Sequence, residues 1–149
     1  MFDKLRRPLF SMPVSNRHFD LSIGHICWKT NFRNAIANHE LLDVATIAKD
    51  DCCELGRWLH DSKIRQRLNH QKSYHDCLEK HAEFHLEAGK IAELANAGNY
   101  YDALQLFNGT SEFSRTFMYL VLCISNLEEY INDEPGDVND FYLTPVLAY

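Results

Sequence analysis

Apolar residues recur along most of this chain at steps of three and four, the period of a helix with one buried face. Leu21, His25, Trp28, Phe32 and Ala35 make one such stripe and predict a first helix over residues 16–39. A shorter helix is expected over 51–68, opening on the acidic pair Asp50-Asp51, which suits the positive end of a helix dipole. The third stripe, Tyr74, Leu78, His81, His85, Ala88, Ala92 and Ala95, predicts a helix over 71–97, closed by Gly98-Asn99. A fourth segment starts near Tyr100, is interrupted around Gly109, and recaps at Thr110 or Ser111. It then carries Phe113, Phe117, Leu120, Ile124, Leu127 and Ile131 on one face. No stretch alternates with period two for long, and no proline falls between Asn16 and Ile131. The expected fold is all-α, an antiparallel four-helix bundle.

Composition changes this picture little. The 149 residues are enough for one domain with its own core. A net charge of -6 argues against nucleic acid as the main partner, because phosphate binding needs a basic surface. No apolar run approaches the roughly 20 residues of a membrane helix, and the basic N-terminus lacks the apolar region of a secretory signal. A cytoplasmic location without membrane insertion is therefore expected. There a disulfide framework is not anticipated from five cysteines. The chain divides into an N-terminal arm (1–15), the helical domain (16–131) and a C-terminal tail (132–149) that is first acidic and then apolar. The two flanks read either as frayed ends or as docking arms for a partner or a second copy.

The chemistry lies in the histidines. His81 and His85 are four apart on one helix, so both imidazoles point the same way and can chelate one ion. Taken alone that spacing is common. These two, however, sit on an apolar stripe, as does His25 beside Trp28, and a buried ring nitrogen without a partner is costly. Closed tetrahedral coordination wants a fourth donor, for which Cys27, Cys52, Cys53 and Cys77 are candidates. Cys77 lies four before His81, Cys52 shares a face with Leu55 and Leu59, and Cys53 shares one with Gly56. Spacing does not choose among them.

The segments HICWK (25–29), CELGRWL (53–59) and HAEFH (81–85), in that order, resemble the chemoreceptor zinc-binding domain family, with further likeness in GKIAELANAGNYYDALQLF and SEFS. The resemblance runs from about Asp20 to Leu127. It implies a Zn2+ site inside a four-helix bundle, with His25, Cys53, His81 and His85 as ligands. It also implies a sensory or regulatory role, reporting zinc or oxidant level to a bacterial signalling partner. Candidate partners are a chemoreceptor, a diguanylate cyclase or a second copy in a homodimer. No receptor or cyclase segment is recognised, so a stand-alone copy is expected. Thiolate and imidazole together favour zinc over magnesium or calcium, and the four ligands leave a net charge of +1. With no open position, catalysis is not expected, and the protein reads as a non-enzyme. Gly56 is expected to let the second helix approach its neighbour, with Trp58 filling the core beside it.

Two rivals remain at this level. One is a structural zinc site in an adaptor whose tails do the binding. The other is a hemerythrin-like di-iron bundle, which is weakened because Arg57 stands where that chemistry wants a carboxylate. His18, His39, His60, His70 and His75 are expected at the surface.

Overall fold

The computed structural model describes residues 21–134; the N-terminal arm, His18 and nearly all of the C-terminal tail lie outside them. Seven helices follow one another: α1 (Leu21–Ala37), α2 (Val44–Ile47), α3 (Glu54–Leu59), α4 (Ser62–Leu68), α5 (Lys72–Asn96), α6 (Tyr100–Gln105) and α7 (Glu112–Asp133). The described residues contain no strand, so the all-α class is as expected. Three helices are long, and the shorter helix expected over 51–68 is instead broken into α3 and α4.

The stop signals explain the difference. Asp61 interrupts the helix expected over 51–68: its carboxylate accepts hydrogen bonds from the backbone N–H groups of Lys63 (2.8 Å) and Ile64 (3.2 Å), which starts α4 afresh. Asp43 caps α2 in the same way through the N–H of Thr46 (3.1 Å). Ser111 caps α7 through the N–H of Ser114 (3.0 Å), at one of the two residues anticipated. Gly98, at φ 87°, ends α5 in the left-handed region that favours glycine. The end of α1 uses His39 for the same purpose. It sits at φ 55° while the Glu40 N–H reaches back to the Ala35 carbonyl (2.9 Å).

The long helices carry the core. α5 packs most extensively against α7, whose Leu120, Ile124, Leu127 and Ile131 are fully buried. α1 leans on α3, α6 and α7, and α2 lies across α5. Two side chains fasten the irregular stretch between α1 and α5. Asn96 bonds both backbone groups of Leu42, accepting from its N–H (2.9 Å) and donating to its carbonyl (2.8 Å). The buried Tyr74 hydroxyl donates to the Leu59 carbonyl at the end of α3 (2.6 Å). Gly89 lets α2 lie close, since a Cβ there would come within 2.8 Å of the Ala48 Cβ. The short helices are thereby fixed against α5, and with them the loop 48–53.

Asp61→Ala removes both cap bonds of α4 from an otherwise intact fold. It is expected to lower stability by about 1 kcal/mol, read as an earlier denaturant midpoint with an unchanged slope.

Candidate metal centre

α1 supplies His25, and α5 supplies His81 and His85 one turn apart. All three are buried, at 2%, 0% and 1% exposure. One ligand atom from each lies within 4.8 Å of the others, and no carboxylate joins this cluster among the described residues. The ring centroids stand 5.1 Å (25 to 81), 5.7 Å (25 to 85) and 4.6 Å (81 to 85) apart. Aromatic neighbours hold His25 in place. Trp28 stacks nearly parallel to it at 5.9 Å, and Phe84 meets its ring edge to face at 4.7 Å.

Each ring keeps a nitrogen with no hydrogen-bond partner: Nε2 of His25, Nδ1 of His81 and Nε2 of His85. His85 shows why. Its Nδ1–H donates to the Ile47 carbonyl at the end of α2 (2.7 Å), which fixes the tautomer and leaves the Nε2 lone pair free. The contact depends on Gly89, one turn further along α5, which admits α2.

Cys53 meets the trio at His81, with Sγ 3.1 Å from Nε2. The group of ligand atoms lying within 4.8 Å of one another is the three histidines alone, so the structure brings the imidazoles together and places Cys53 beside one of them. The sulfur arrives by a route different from the one anticipated. Cys53 is not on a helical face; it is the N-cap of α3, with its Sγ accepting the Gly56 N–H (3.2 Å). Gly56 is also corrected. A Cβ there would lie 1.9 Å from the Asp50 carbonyl oxygen, so the glycine makes room for the backbone of its own preceding loop, not for a neighbouring helix. Trp58 is buried in the core as expected.

The other cysteines point elsewhere. The Cys52 S–H donates to Asp51 Oδ1 (3.4 Å). Cys77 is fully buried within electrostatic reach of Cys123 on α7. Cys27 is half-buried on α1. The acidic pair does not open a helix, since α3 begins only at Glu54. Asp50 Oδ2 instead accepts a hydrogen bond from His60 Nε2 (3.0 Å). His39, His60, His70 and His75 are at the surface as expected.

Burial dominates the electrostatics. It lowers His25 from 6.5 to about 3, with the neighbouring His85 adding to the effect. Burial likewise holds His81 far below its ordinary value, and His85 below it in spite of the bond to Ile47. All three rings are therefore neutral at physiological pH, with lone pairs available. Burial pushes the Cys53 thiol up to about 11, against the pull of the Gly56 N–H and of Arg57. Metal ligation there must expel a proton.

Two predictions follow from this geometry. Above pH 6.5 the three imidazoles are neutral in both folded and unfolded chains. Below it the unfolded chain takes up protons that the folded one refuses. Stability of the metal-free protein should fall as pH drops from 6.5, by up to about 1.4 kcal/mol per pH unit for each histidine, and for His25 down to about 3. Urea midpoints at pH 7.5 and 5.0 check this, and a flat response would contradict the burial. Separately, Gly56→Ala must displace loop backbone and should cost about 1–3 kcal/mol. It should also speed alkylation of Cys53, read peptide by peptide by mass spectrometry.

The sequence profile of the chemoreceptor zinc-binding domain matches residues 25–92. The match ends inside α5, short of the Asp20–Leu127 span of the resemblance. No curated protein and no solved structure matches the chain. The segment that carries the three clustered histidines and Cys53 belongs to the chemoreceptor zinc-binding domain family.

Proposed function

We propose that this chain is a zinc-binding regulatory domain, holding Zn2+ through His25, Cys53, His81 and His85 and reporting the state of that site to a bacterial signalling partner. The observation that carries the reading is the set of three unpartnered ring nitrogens inside the core. An unmet polar group in such a place costs about 1–3 kcal/mol, and a cation shared by the Nε2 atoms of His25 and His85 removes that cost for both; beside the Cys53 sulfur, His81 offers Nε2 and not its unpartnered Nδ1. The donor set is borderline-soft nitrogen and sulfur, which selects zinc over oxygen-seeking magnesium or calcium. The cluster has no bridging carboxylate, and Arg57 is spent on the Cys52 carbonyl (2.9 Å), so a di-iron centre is disfavoured.

The residues divide the work. His81 and His85 are anchored on the helix that packs most extensively against α7. His25 and Cys53 come from α1 and from the cap of α3, which are less tied to that core. Filling the site draws α1 and the loop 48–53 onto α5, and emptying it releases them, while the contact between α5 and α7 needs no ligand. Bound zinc supplies a charge that holds the Cys53 sulfur as a thiolate. In the bare chain that thiol stays protonated, which makes it a poor target for oxidants. This favours metal occupancy as the primary signal, with sulfur oxidation as a second way to drop one ligand. Four protein ligands leave no place for a substrate, so the reading assigns no reaction.

Titration of metal-free protein should give one zinc per chain. His81→Ala and Cys53→Ala should each weaken binding by about 100-fold or more, since each removes a ligand where loss of an outer-shell partner alone costs 10–100-fold. Hydrogen exchange should quicken on zinc removal in α1 and residues 42–60, and stay unchanged where α5 packs on α7. Unaltered affinity in both variants would refute the ligand set. Global unfolding on zinc removal would make the metal structural instead of regulatory.

A further inference from the structure

The four candidate ligands are not equally covered. The three histidines are buried, whereas Cys53 is half-buried. Cys53 is thus the most solvent-exposed of the four. In the sequence Cys53 is flanked by Asp50, Asp51 and Glu54, carboxylates that attract divalent cations. The Asp50 carboxylate and the His60 imidazole meet at 3.0 Å, each side chain 32% exposed.

The pair is physically joined to the core. Asp50 lies in the loop 48–53, three residues after Ile47, whose carbonyl holds His85, and three before Cys53. Its own carbonyl rests over Gly56, whose N–H bonds the Cys53 sulfur, and that sulfur touches His81. His60 closes α3, the helix that Cys53 opens. The charge on His60 is felt at His81 and the charge on Asp50 at His85, which places the pair near the trio.

We propose that Asp50 and His60 form an outer half-site for a divalent cation, a loading port through which zinc passes to Cys53 and His81. Their separation is close to the roughly 3.3 Å kept by two adjacent ligands of one zinc ion. With two protein donors, one nitrogen and one carboxylate oxygen, and water filling the other positions, such a site binds weakly and exchanges fast. Capture breaks the bond between the two side chains. Transfer exchanges their donor atoms for the Cys53 sulfur and the His81 ring, and the thiol gives its proton to solvent. The pair is then free to re-form over the filled core site.

This inference rests on the zinc reading of the core site, and its test separates the two. Zinc uptake by the metal-free full-length chain is followed by stopped flow against a chromogenic chelator, and release by excess chelator. Asp50→Asn and His60→Gln alter half-exposed side chains and leave the Asp50 carbonyl over Gly56, and circular dichroism checks the fold. In both variants, uptake and release should slow together by about tenfold or more, with equilibrium affinity kept within about threefold, as expected for a group acting on the rate of encounter. A port is refuted if the wild-type chain binds zinc and both variants load at the wild-type rate. It is equally refuted if affinity falls through faster release alone, which would make the pair a brace for the loop. A wild-type chain that takes up no zinc overturns both the port and the core site.

Discussion

Three imidazoles packed into one buried space, each with a ring nitrogen facing no protein partner, are the constraint around which this end of the molecule is arranged. A protein core does not normally keep such groups, because each one gives up its bonds to water and receives nothing in exchange. The surrounding structure does not relieve them; it fixes them. Trp28 and Phe84 pin the His25 ring, and the Ile47 carbonyl takes the one proton of His85 and so commits its other nitrogen to remain bare. The same burial keeps all three rings neutral at physiological pH. A cluster prepared in this way is costly as it stands and becomes favourable once a cation is shared among the three.

How much of this was legible depends on where the relevant residues sit. His25, His81 and His85 stand on continuous helices, and helical periodicity reports which face of such a helix is buried. Their convergence therefore follows from stripes that include them among apolar residues. The end of α5 at Gly98 and the start of α7 at Ser111 were equally readable, because a positive-φ glycine and a capping hydroxyl act locally. Cys53 is different. It reaches the cluster as a cap on a six-residue helix, where a bond from the Gly56 N–H decides the sulfur's position and no stripe records it. Spacing left four cysteines open for that reason, and the family resemblance supplied the choice.

The errors share one physical origin. The expected helix over 51–68 ignored that Asp61 can accept two backbone N–H bonds, which makes a fresh helix start as favourable as continuing the old one. Asp50 read as a dipole-matched first turn, yet its carboxylate finds His60 across ten residues of sequence. Gly56 read as a contact point between helices, yet what crowds it is a carbonyl six residues earlier in the chain. In each case a side chain or an absent Cβ acts on irregular backbone, where neither a period of 3.6 nor composition carries information.

These two kinds of structure give the site two unlike halves. The histidine half is set by regular helices, aromatic stacking and the α5–α7 core. The sulfur half lies in the irregular stretch from Leu42 to His60, which sends Leu42, Ile47, Leu55, Trp58 and Leu59 into the core and is shaped between them by the Asn96 clamp, the close approach at Gly89, the Gly56 N–H to Cys53 and the Asp50–His60 pair. On the proposed function, a ligand bridging both halves would restrain the irregular backbone of that loop together with α1. On that reading, an occupied and an empty site would differ in the surface near residues 42–60 while sharing one core, the property a partner would need in order to tell them apart.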